Sequence, residues 1–176
     1  MSSQKEQIQC ALKVLIGLPL SIARRAADMR NFHFGSIRII ENGSAGDYAL
    51  HIQCPWRIEG PNGIVTGGDD LWEPANEQDY DENWDYDKTE NLQDSKLKDL
   101  LKGYDVRTRS YINKTDKLVV EAIEATENAD LMIVLTGGYK IRIFPCGGRE
   151  EDWRFFKSES DEGHFVISGG KIEWQH

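Results

Sequence analysis

Apolar residues recur at Ile8, Ala11, Leu12, Leu15 and Ile16, a spacing that lays one hydrophobic stripe along a helix. Ser3-Gln4-Lys5-Glu6 just ahead of the stripe reads as a capping box, with each of Ser3 and Glu6 satisfying a backbone N–H that the first turn would otherwise orphan. Gly17 supplies a left-handed stop and Pro19 prevents continuation. Between Ser21 and Arg30, the alanines Ala23, Ala26 and Ala27 with Arg24 and Arg25 favour a short helix, while an extended path also fits. From Phe32 the period changes to two. Phe32-His33-Phe34-Gly35 opens a strand that Ile37 and Ile39 continue, and Tyr48 to Ile58 reads as one long strand with Tyr48, Leu50, Ile52, Cys54, Trp56 and Ile58 on one face. Pro55 within that strand argues for an edge or a bulge. Gly60-Pro61-Asn62-Gly63 turns the chain into a return strand at Ile64-Val65-Thr66.

The second half repeats the logic. Asn91 caps a helix whose face carries Leu92, Leu97, Leu100 and Leu101 and which Gly103 closes. Strands are expected at Leu118–Ile123, Leu131–Thr136, Tyr139–Phe144, Trp153–Phe156, His164–Ser168 and Lys171–Trp174. Gly-Gly follows a β run at Gly67-Gly68, Gly137-Gly138 and Gly169-Gly170, and each pair reads as tight hairpin chemistry. The fold class is therefore α+β. An N-terminal helix and a second mid-chain helix pack on a mostly antiparallel, strongly curled sheet of about seven to nine strands, within a single domain spanning residues 1–176.

Charge changes this picture at one place. The chain carries a net −9, yet the segment Asp69–Asp94 holds eleven acids against one base, Lys88, so its own balance is 1 − 11 = −10. All other residues together sum to +1, because −9 − (−10) = +1. Trp72, Tyr80, Trp84 and Tyr86 are woven through the acids, side chains that anchor protein interfaces and that a disordered acidic tail lacks. The segment reads as an acidic, aromatic-rich connection between two β blocks. With a pI near 4.9, nucleic acid and anionic membranes are repelled, and no apolar run is long enough to cross a bilayer. Three widely spaced cysteines, Cys10, Cys54 and Cys146, form no CxxC pair and read as reduced, buried thiols of a cytoplasmic protein.

No motif fixes an activity. There is no GxxxxGK[ST], no helix-opening GxGxxG and no GxSxG, and His33, His51, His164 and His176 never fall at HxxxH or HExxH spacing. Neither a metal nor a cofactor is implied. His51 and Cys54 are separated by an odd number of residues, which on one strand sends them to opposite faces. The Asp79–Glu82 run lacks the glycine and terminal glutamate of a calcium loop.

Two groups of stretches carry a resemblance. Gly17-Leu18-Pro19-Leu20, Arg25-Ala26-Ala27-Asp28-Met29 leading into Phe32-His33-Phe34-Gly35, and Tyr48–Ile58 resemble bacterial proteins without assigned function. Trp153-Arg154-Phe155-Phe156 and His164–Glu173 are similar to small immunity-type proteins found beside polymorphic toxins. The resemblance brings no catalytic residues. It implies a non-enzymatic bacterial protein that blocks a basic toxin. Acids raise the rate of encounter with a basic partner while buried aromatic anchors slow its release, so the expected contacts are Trp72, Asp79, Tyr80, Asp81, Glu82, Trp84, Asp85 and Tyr86. The competing expectation is a small-molecule binder or enzyme with a pocket on the curled sheet, lined by His33, His51, Cys54, Trp56 and Arg57. In a third, bare β edges pair copies of the chain into a homo-oligomer.

Overall fold

The computed structural model describes residues 1–174; His176 lies outside them. The chain begins with α1 (Gln4–Leu12), where the Ser3 hydroxyl accepts from the Glu6 amide at 3.2 Å and the Glu6 carboxylate accepts from the Ser3 amide at 2.9 Å. The capping box is therefore complete, and a 3-10 turn at Lys13–Leu15 carries the apolar stripe one step further, burying Ile8, Leu12 and Leu15. β1 (Leu20–Ala26) and β2 (Met29–Phe34) follow as a hairpin, then a ribbon of β3 (Arg38–Ile40) and β4 (Gly43–Ala45), then β5 (Tyr48–Ile52), β6 (Trp56–Gly60) and β7 (Gly63–Gly67). The acidic connection leads into α2 (Leu92–Leu101). The remaining strands are β8 (Lys102–Asp105), β9 (Ser110–Asn113), β10 (Val120–Ala125), β11 (Leu131–Leu135), β12 (Tyr139–Ile143), β13 (Glu151–Lys157), β14 (Phe165–Ser168) and β15 (Lys171–Trp174).

The class is α+β with antiparallel sheets and one sheet has the expected seven to nine strands, but beside the short β3–β4 ribbon there are two sheets rather than one curled sheet. One has eight strands in the order β15-β14-β13-β5-β2-β1-β9-β8, the other five in the order β10-β11-β12-β6-β7, and neither is closed or strongly curled. The physical reason is the break at Gln53-Cys54-Pro55. Proline cannot donate to a ladder, so the expected long strand ends at Ile52 in one sheet and restarts at Trp56 in the other. Leu50 and Ile52 from β5 and Trp56 and Ile58 from β6 nonetheless enter one shared core, each pair on a single face of its own strand. Phe32 of the larger sheet meets Trp56 of the smaller edge-to-face at 5.4 Å, and the buried Trp153 donates its indole N–H to the Ala129 carbonyl at 3.2 Å. Gln4 on α1 bridges the two blocks, donating to the carbonyls of Glu127 and Gly170, both at 2.8 Å.

Two local expectations are corrected, and one left open between helix and strand is decided. The alanine-rich Ser21–Arg30 segment is a β-hairpin, because β1 gains ladder partners on both sides, β2 and β9, and that pairing outweighs a propensity difference of a few tenths of a kcal/mol per residue. Gly137-Gly138 and Gly169-Gly170 do close hairpins, with φ of +81° and +81°, and +54° and +73°. Gly67-Gly68 does not turn a hairpin. Gly67 is extended, a Cβ there would sit 2.9 Å from the Trp56 carbonyl oxygen, and the chain moves on into a 3-10 turn at Gly68–Trp72. The hairpin β8–β9 was not foreseen. It starts where Lys102, not Gly103, takes the left-handed cap of α2 at φ +69°.

Among the described residues no helix is long and apolar enough to cross a membrane.

Candidate functional site

The acidic connection is fastened at both ends by its own acids. At its start Asp70 accepts from the Thr66 hydroxyl and from Lys96 of α2, each at 2.8 Å. At its end Asn91 caps α2, its side-chain oxygen accepting from the Asp94 amide at 2.8 Å while its amide group donates to the Tyr86 carbonyl at 3.1 Å. Asp94 lies between two arginines of the first hairpin, 3.1 Å from Arg25 Nε and 3.0 Å from Arg30 Nη2. Burial alone would raise its carboxyl, but the charges and hydrogen bonds of Arg30 and Arg25 outweigh it and hold Asp94 below the usual carboxylate range. Asp87 adds a further ion pair to Arg25 at 2.7 Å. These acids belong to the scaffold.

Between the fastenings the chain forms a series of tight turns. Asp81 accepts from the Asn83 amide at 2.7 Å and Asp85 from the Asp87 amide at 2.9 Å, the Asx geometry that aspartate favours. Trp84 donates to the Thr89 hydroxyl at 2.6 Å, and Trp72 packs edge-on against Tyr86 with centroids 5.1 Å apart. Trp72, Tyr80, Asp81, Glu82, Trp84, Asp85 and Tyr86 line one open depression of about 550 Å3. Of the expected contacts only Asp79 is outside it, exposed at the end of a 3-10 turn at Glu77–Asp79. Tyr80 is 65% exposed and Trp72 51%, so neither ring is used up by the fold. Among the described residues Asp81 and Glu82 have no ion-pair partner, while Asp85 lies 3.9 Å from Lys88, which also lines the depression.

The alternative grouping is divided by the fold. Cys54, Trp56 and Arg57 line a separate cleft of about 660 Å3 on the smaller sheet's side, whereas His33 and His51 face away from the core on the outer side of the larger sheet, opposite Asn31↔His51 and His33↔Ala49 neighbours. His33 Nδ1 accepts from the Gly46 amide at 3.2 Å and Nε2 lies 3.1 Å from Arg24 Nη2, so both ring nitrogens face donors. Burial, with the charges of Arg24 and His51, lowers its pKa to about 3. His51 falls to about 4, chiefly through burial and the charge of Arg154. Burial pushes the Cys54 thiol up to about 12, so it is no nucleophile at neutral pH. Cys10 and Cys146 are exposed rather than buried, and all three thiols are free. The sequence reading missed the arginines Arg25 and Arg30, which the β-hairpin brings to Asp94 of α2, and Arg24, which it sets against His33 and the Ser44 carbonyl.

The fold and site thus define an α+β protein of two facing antiparallel sheets with an acidic aromatic depression on a structured connection. In comparisons with known proteins, no family model, no curated protein and no solved structure matches the chain.

Proposed function

We propose that this protein binds a basic segment of another protein in the acidic aromatic depression. The reading extends the resemblance to immunity-type proteins: the partner is a toxin whose basic site the depression covers. One observation carries it. Four aromatic rings and the carboxylates Asp81, Glu82 and Asp85 converge on one concavity while the acids needed for folding, Asp70 and Asp94, lie elsewhere. Arginine or lysine side chains fit such a site through ring faces and carboxylates together. Because Asp81 and Asp85 already brace the turns, the depression keeps its shape before a partner arrives, which lowers the ordering cost of binding.

The test is capture of partners from native lysate at low and high salt, followed by titration of the purified partner. The expected result is one basic protein whose retention weakens with salt. Y80A and W84A each reduce its affinity by about 30-fold, corresponding to about 2 kcal/mol for an anchor residue. Far-UV circular dichroism should be unchanged for Y80A, whose ring is mostly exposed. Undiminished affinity in both variants, or in a D81K/D85K double substitution, overturns the reading.

A further inference from the structure

A second concavity lies on the opposite side of the Tyr86–Lys88 strip, and its chemistry is the reverse of the first. It is a cleft of about 550 Å3 between the turn of the first hairpin, the start of α2 and the turn of β8–β9. In a chain of net charge −9, this cleft gathers Arg24, Arg25, Arg30 and Arg109 with Lys88 and Lys98, against Asp87, Glu90 and Asp94. Among the described residues two of the arginines have no carboxylate partner. Arg24 is bound by the Ser44 carbonyl and sits against His33, and among the described residues Arg109 has no ion-pair partner. Arg109 also holds φ at +50°, a left-handed position that glycine or asparagine occupies at less cost.

The buried part of the cluster is short of negative charge. Arg30 is fully buried, and its Nη2 donates to Asp94 and to Gln93 Oε1. Among the described residues its Nε and Nη1 have no hydrogen-bond acceptor, and the guanidinium lies over the Trp56 ring, 6.0 Å from its centroid. Arg25 draws on the same Asp94. Two guanidinium groups therefore share one buried carboxylate, and the second acid, Asp87, is 59% exposed. Buried charges are paired in stable proteins, and an unfilled guanidinium is costly. The wall opposite is aromatic: Tyr104 and Tyr111 lie 5.0 Å apart, tilted by 38°, and Tyr104 is half exposed.

We propose that this cleft binds the oxyanion of a small organic ligand, a phosphate ester or a carboxylic acid of roughly mononucleotide size. The oxyanion lies among Arg24, Arg25 and Arg109 in the field of Arg30, and the organic body lies along Tyr104. A bare inorganic ion would leave most of the volume unfilled. Glu90 faces the same cleft and accepts from hydroxyl or amino groups of the body, which disfavours a ligand made only of anionic groups. The site is independent of the depression proposed for a protein partner, since the two share only the Tyr86 and Lys88 wall.

The experiment is calorimetric and thermal-shift titration of the whole protein with AMP, glucose 6-phosphate, citrate, inorganic phosphate and adenosine at one ionic strength. The expected result is saturable binding of at least one organic anion, at least tenfold tighter than inorganic phosphate, with adenosine inert. R109Q, at an exposed turn residue that the core does not use, lowers that affinity at least tenfold, and R24Q does the same. Three results overturn the proposal: no saturable binding by any organic anion, binding that survives R109Q and R24Q, or inorganic phosphate binding as tightly as the organic anions, which marks an adventitious ion only. Loss of the protein partner in Y80A and W84A leaves this outcome untouched.

Discussion

Replacing Asp94 by alanine removes the carboxylate on which the connection, α2 and the first hairpin all converge. Among the described residues Arg30 would lose its only ion-pair partner while its side chain is 1% exposed, and Arg25 would keep only the exposed Asp87. Asn91 would also lose an acceptor at 2.9 Å. Removing one member of a buried pair costs about 3–5 kcal/mol, because the other charge stays buried without compensation. Asp94 itself is 14% exposed, so solvent screens the pair only slightly. In a chain of this length each kcal/mol shifts the midpoint by about 2–4 °C, so D94A should lower Tm by roughly 6–20 °C. Urea titration followed by tryptophan fluorescence gives the free energy directly. The pH dependence checks the cause. The folded-state pKa of Asp94 is depressed, so its stabilisation is fully present above the ordinary carboxylate value and disappears as pH falls through the depressed one. The D94A protein should accordingly show a flatter acid limb than the parent. A loss below about 1 kcal/mol, with an unchanged acid limb, would refute the reasoning, because Gln93 and solvent would then suffice for Arg30.

Two further outcomes follow from buried groups. The His33 ring should stay neutral at pH 5 in proton NMR, since its pKa falls from 6.5 to about 3; within that window the unfolded chain holds a proton that the native chain does not, so His33 makes stability decline as pH drops, and a ring titrating near 6.5 would contradict the burial argument. In thiol titration at pH 8 the native protein should react at Cys10 and Cys146 but not at Cys54, whose thiol is pushed up to about 12, with the third equivalent appearing only on unfolding.

What was legible in the sequence was whatever neighbouring residues decide among themselves. The capping box at Ser3 and Glu6, the Asn91 cap, the hairpin glycines at Gly137-Gly138 and Gly169-Gly170 and the apolar parity of Leu50 with Ile52 and of Trp56 with Ile58 each depend on residues a few positions apart. The acidic aromatic grouping was legible for the same reason, being contiguous from Trp72 to Tyr86. What only the tertiary structure decided depends on pairing between distant segments. Ser21–Arg30 became β1 and β2 because β9 and β5 lie beside them, and the curled sheet became two because Pro55 passes the chain across the core. The division of His33 and His51 from Cys54, Trp56 and Arg57 follows from that same crossing. The arginine cleft needs residues from the first hairpin, α2 and the β8–β9 turn at once. Local propensity amounts to tenths of a kcal/mol per residue, whereas burial of a large side chain contributes about 1.5–3 kcal/mol. Where the two disagree, long-range packing determines the result.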